Sequence, residues 1–192
     1  MVTGRRALGW STALLAVYGA VRLLPGSRGV GAGWMLGHLA LLGGLLLMGR
    51  GLAELRRTGG PGAWGTAWLA VGLAGTAAGL AQTAIDLYVG AVAEDAARKS
   101  ELFDRVQAVP GVLPLVYTVV PTFLYLGLIA LLVRLAARRA APWWSPVLVL
   151  AGTLLMGASL DFLSVGAALY LAAFLPLIRS GRQGLRAVPS RA

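Results

Sequence analysis

Residues 64–92 form a run of 29 residues whose only charge is Asp86. About 20 apolar residues suffice to cross a bilayer, so this run predicts a transmembrane helix. It does not stand alone. Apolar runs also extend from Leu8 to Leu24, ending at Pro25-Gly26, from Gly33 to Met48, and from Val112 to Val133 after Pro110. The last run, Trp143 to Ile178, has 36 residues. As one helix it would reach ~54 Å, against a hydrocarbon core of ~30 Å. It is better read as two short spans folded at Gly157-Ala158-Ser159-Leu160-Asp161. The expected fold is therefore all-α: a polytopic integral membrane bundle of six transmembrane helices. One bundle covers 1–180, and a disordered basic cytoplasmic tail covers 181–192. The first run follows Arg5 and Arg6 as a signal peptide would, but no small-residue cleavage site follows it, so it reads as a retained helix.

Charge sets the expected orientation. The net charge is +10, but only 12% of residues are charged and the mean hydropathy is +0.77. In a soluble chain such basicity would suggest nucleic acid. Here the arginines separate apolar runs and read as topology anchors, so no nucleic-acid partner is expected. With six spans and the N-terminus inside, 12 of the 17 basic residues are cytoplasmic and 5 are outside. With five spans, the tail arginines move out and the split becomes 8 against 9. The positive-inside rule selects six spans, with both termini cytoplasmic in the cell membrane. Trp64, Trp68, Trp143 and Trp144 then lie at the inner interface, where aromatic belts belong.

Polar residues within the spans are the candidates for function. On a helical wheel Gly75, Gly79, Gln82, Asp86 and Gly90 share one stripe. Gly75 and Gly79 form a small-xxx-small pattern that admits a neighbouring helix, so Asp86 is expected to face the bundle. An acid in a span is a functional hypothesis by default. By depth, Arg22, His38, Gln82, Asp86, Tyr117, Thr118 and Asp161 all fall in the outer half. They predict a polar cavity there that binds or moves a small lipophilic or amphipathic molecule, or supports a membrane complex or oligomer. Each residue also has a structural reading. Arg22 snorkels or pairs with Asp86, His38 packs through hydrogen bonds, Asp161 caps the turn into span six, and Tyr18, Tyr88 and Tyr117 belong to the interfacial belt.

An enzyme is the other reading. Asp86, with Asp161 as partner, would act as a general acid in an apolar pocket, as in protonation-initiated cyclisation of an isoprenoid. The missing motifs narrow this. There is no cysteine and only one histidine, which removes thiol catalysis and a serine triad. No Gly-x-Ser-x-Gly, His-Glu-x-x-His or phosphate-binding loop occurs. No metal or other cofactor is expected.

The outer segment 94–106 predicts a charged helix, with Glu94–Arg98, Asp95–Lys99 and Glu101–Arg105 in the favourable i,i+4 order. It is a solvated connector or a lid. Finally, the stretch TFLYLGLIALLVRLAARRAAPWWSPVLVLAGTLLMGASL, with its span, arginines, Pro-Trp and second span, resembles a pattern common in small uncharacterised actinobacterial multi-pass membrane proteins. That resemblance implies no activity and assigns no site residue.

Overall fold

A computed structural model describes residues 3–186, with the backbone alone for 181–186. Seven α-helices run in chain order: α1 (Gly4–Arg22), α2 (Ala32–Thr58), α3 (Ala63–Val92), α4 (Ala96–Gln107), α5 (Val119–Ala137), α6 (Trp144–Ala158) and α7 (Leu163–Arg186). No strand occurs among the described residues. By length and composition, four segments can cross a membrane: α2, α3, 113–137 and 160–180. Helix α6, with 15 residues, is apolar but shorter.

The helices close into a ring. α1 packs on α2, α2 on α3, α3 on α5, α5 on α6, α6 on α7, and α7 back on α1. Helix α4 stands outside that ring at the end of α3. The core is a leucine-rich cluster built around Leu52, Leu128, Leu132, Val149, Tyr170 and Phe174.

The breaks follow local chemistry. The 36-residue run does fold back where expected: α6 ends at Ala158, a 3-10 turn covers Leu160–Phe162, and α7 follows. Between α2 and α3, Gly60 and Gly62 take φ of 72° and 142°, which side chains other than glycine rarely accept. Arg134 from α5 clasps this turn, its Nη2 donating to the Pro61 carbonyl at 2.9 Å. The run after Pro110 does not start as a plain α-helix. A π-helical turn, Leu113–Thr118, precedes α5. Pro121 has no N–H for the Tyr117 carbonyl, and its ring crowds that oxygen. The chain accommodates it in a wider turn, with the Val119 N–H reaching the Pro114 carbonyl.

The small-residue stripe of α3 does admit a helix. Gly75 lies against the α5 backbone at Phe123 and Leu124, and a Cβ added at Gly127 would stand 2.5 Å from Gly72 Cα. Gly72 and Gly127 thus carry the closest approach beside Gly75. Gly79 turns instead toward Leu45. Helix α7 continues to Arg186, past the expected boundary at 180. The rest of the expected tail, 187–192, lies outside the described residues.

Candidate functional site

The polar candidates sort into two groups at one end of the ring, above a central cavity. The first is built on Trp34 and His38, one turn apart in α2. His38 Nδ1 lies 2.8 Å from the Trp34 carbonyl oxygen. The two rings stack with centroids 4.0 Å apart, and the Tyr18 ring meets His38 edge-on at 5.3 Å. The Trp34 indole N–H donates to the Asp86 carbonyl oxygen at 2.8 Å, tying α2 to α3. Gly90, one turn beyond Asp86, leaves room for that indole, which a Cβ there would strike. The Asp86 carboxylate then faces His38, with Oδ2 3.5 Å from Nε2. Both side chains are nearly buried, 10% and 5% exposed.

Helix α4 covers this group. Asp95 caps it by accepting from the Arg98 N–H, so Asp95 does not pair with Lys99 as its spacing suggested. Arg98 turns to Glu101 at 2.6 Å, and Arg105 pairs with Glu101 as expected. Lys99 is thereby free to reach inward. Its Nζ sits 3.1 Å from the Trp34 ring centroid and donates to the Arg28 carbonyl at 2.7 Å. Burial pushes its pKa down from the usual lysine range, and the negative charge of Asp86 partly offsets that. Phe103 closes the cover, its ring 6.1 Å from Trp34. The segment is thus a docked helix.

The second group corrects two expectations. Arg22 does not pair with Asp86. It lies 3.7 Å from Asp161, as Arg28 also engages that carboxylate. The reason is topological: α1 packs against α7 and the 3-10 turn, so the end of α1 reaches the α6–α7 turn. Nor is Asp161 the cap. Ser159 takes that place, its hydroxyl accepting from the Asp161 N–H. Asp161 itself is half exposed and joins the α6–α7 turn to the end of α1 and the α1–α2 loop by charge.

The cavity has a volume of about 180 Å³ and is lined by all six helices of the ring. Its walls are mostly aliphatic and aromatic, including Leu15, Leu41, Leu124, Met156 and Tyr170. The polar groups among them are Ser11, Gln82, Thr83 and the hydroxyls of Tyr18, Tyr125 and Tyr170. Three are occupied within the protein: the Ser11 hydroxyl donates to the Leu8 carbonyl, Thr83 to that of Gly79, and the Tyr170 hydroxyl is paired with that of Thr153 at 2.7 Å. This lining is more apolar than that of the expected pocket. Of the residues named for ligand binding, Gln82 lines the cavity, whereas Arg22, His38, Asp86, Tyr117, Thr118 and Asp161 do not. The Tyr117 hydroxyl is buried without a partner among the described residues, and Thr118 donates to the Leu113 carbonyl. With neither Asp86 nor Asp161 on its wall, the cavity presents no acid to an isoprenoid. Tyr18 links the two regions, since it touches His38 and also lines the cavity.

One buried charge escaped the sequence reading. Glu54, 9% exposed, lies near the other end of α2. It accepts from Arg57 at 2.8 Å and from Arg5 of α1 at 3.4 Å, while Arg5 also reaches Ser180 of α7 at 3.0 Å. Gly4 gives it room, its Cβ position being filled by the Glu54 side chain. Substituting Glu54→Ala removes the acceptor that joins α1 to α2. We expect a loss of about 2 kcal/mol, seen as a lowered thermal midpoint in detergent, with Glu54→Gln intermediate.

No protein-family model matches the chain, and no curated protein or solved structure is significantly similar to it.

Proposed function

We propose that the chain is a six-span protein of the cell membrane that holds a small lipophilic molecule within its helix ring. The observation that carries this reading is the central cavity, to which every helix of the ring contributes. Its size is close to that of a roughly 150 Å³ apolar cavity that accepts one benzene. It is below the ~300–1,000 Å³ usual for drug-sized ligands. The guest is therefore compact, on the order of ten heavy atoms or fewer, with an apolar body and at most one or two polar groups for Gln82 and the Tyr18 and Tyr125 hydroxyls.

Leu41 lines the cavity, and Leu39, two residues earlier, is 52% exposed. Leu41→Trp fills the space and Leu39→Trp does not. Native mass spectrometry of the purified protein should show a bound small molecule that Leu41→Trp reduces at least tenfold and Leu39→Trp retains. Equal retention by both variants, or no bound mass under any condition, removes this function.

The six-span topology has its own test. Helix α1, with 19 residues, and the shorter α6, with 15, sit in the ring between apolar neighbours, which supports their crossing with them. Arginines concentrate in the last turns of α2 (Arg56, Arg57), around the α5–α6 turn (Arg134, Arg138, Arg139) and towards the end of α7 (Arg179, Arg182, Arg186), which supports both termini being cytoplasmic. The chain has no cysteine, so a single introduced thiol is unambiguous. In intact cells, Ser100→Cys should react with a membrane-impermeant maleimide. Ala140→Cys and Arg179→Cys should react only after permeabilisation. Labelling of Arg179→Cys from outside would reduce the count to five spans.

A further inference from the structure

The contact between His38 and Asp86 has a proton count. His38 Nδ1 lies 2.8 Å from the Trp34 carbonyl oxygen. A carbonyl only accepts, so Nδ1 carries a hydrogen. In a neutral imidazole the other nitrogen is then a bare lone pair. That nitrogen, Nε2, faces Asp86 Oδ2 at 3.5 Å, with both side chains nearly buried. An ionised carboxylate is also acceptor-only. Two acceptors turned toward each other in a low-dielectric site repel, and neither gains a hydrogen bond. One added proton resolves this. The acid donates to the neutral ring, or the imidazolium donates to the carboxylate; the two forms have the same proton count and the same net charge.

We infer that His38 and Asp86 form a binding site for a single shared proton at the covered end of the ring, with Lys99 of α4 as its nearby positive charge. The ligand is the proton itself, and the site is distinct from the cavity and does not depend on its occupant. The groups around it are few. Helix α1 supplies Tyr18 and Arg22, the latter engaged with Asp161. The π-helical turn supplies Tyr117, whose hydroxyl is buried and unpartnered among the described residues. Helix α4 supplies Lys99 above Trp34, and the α1–α2 loop supplies Arg28, also held by Asp161. Among the described residues, no other carboxylate reaches His38 Nε2. Losing the shared proton leaves one negative charge beneath Lys99. Gaining a second leaves one positive charge there, opposed by Lys99 and Arg22.

His38 is the only histidine, so the full chain labelled with 15N-histidine and held in lipid nanodiscs gives one imidazole in its nitrogen spectrum. At neutral pH we expect Nδ1 to carry a hydrogen and a downfield proton between the ring and Asp86. In Asp86→Asn the amide brings its own N–H to Nε2. The downfield proton should vanish, and the midpoint of ring protonation should move by one pH unit or more. Lys99→Met should move the wild-type midpoint by half a unit or more. A hydrogen on Nε2 with Nδ1 bare overturns the inference from the wild-type spectrum alone, whether or not the variants fold. An unmoved midpoint in Asp86→Asn overturns the shared proton, and one in Lys99→Met overturns the role of Lys99.

Discussion

Gly75→Ala is expected to lower the stability of the bundle by about 3 kcal/mol, near the upper end of ordinary overpacking costs. The added methyl has nowhere to go. Its position is already occupied by α5 backbone at Phe123 and Leu124. A flexible side chain can swing away from an intruding atom, but a helix backbone cannot, so α3 and α5 must part. Parting them loosens the neighbouring Gly72–Gly127 contact and unpacks Leu124 and Leu128, both buried. In a membrane this loss matters, because helix association rests on close packing more than on hydrophobic transfer. Gly157→Ala is the internal control. It is also in a helix, but nothing lies within 4 Å of its Cβ position. There the usual preference of a helix for alanine over glycine, about 0.8–1.0 kcal/mol, should appear as a small gain. Thermal unfolding of both variants in detergent reads the contrast. Similar midpoints for the two would mean that α3 and α5 do not pack through Gly75.

These glycines show what a single sequence makes legible. The small-residue stripe on α3 was visible because helical geometry fixes which residues share a face. Which of its glycines carries the contact was not, since that depends on the rotation of α5, and Gly127 shows no pattern of its own. The fold-back at 157–161 was visible because a 36-residue apolar helix exceeds the bilayer. Asp86 was readable as facing inward, but its partner was not. His38 and Arg22 lie at similar depth, and only the ring order, with α1 beside α7, sends Arg22 to Asp161 and leaves His38 to Asp86. Glu54 was hidden for another reason. In the stretch Glu-Leu-Arg-Arg it reads as an ordinary surface pair at a helix end, and its burial comes from Gly4 on a different helix. Spacing pairs Lys99 with Asp95, yet the cap of α4 has first use of that carboxylate. Each miss is a choice between partners that are equivalent in sequence and differ only in space.

Trp34 is the residue through which these elements meet, and its loss should have the second large effect. Its ring stacks on His38, its N–H holds the Asp86 carbonyl, its face receives Lys99, and its edge lies near Phe103. Replacement by alanine forfeits packing in the range of about 3–5 kcal/mol for a large aromatic. Because Trp34 is only partly buried, the expected loss is about 3 kcal/mol. The loss should be local first. Helix α4 shares few contacts with the ring beyond Lys99 and Phe103, so its amides should exchange with solvent at least tenfold faster in Trp34→Ala. Amides of α3 and α5 at the Gly75 contact should change little. Trp34→Phe keeps an aromatic face for Lys99 and a ring against His38 but gives up the indole N–H to Asp86. It should lie between wild type and alanine, retaining most of the α4 protection. If α4 exchanges at the wild-type rate in Trp34→Ala, the cover over the His38–Asp86 pair is held by something other than this indole. Slower exchange in Trp34→Phe than in Trp34→Ala would separate the ring's contribution from that of its hydrogen bond.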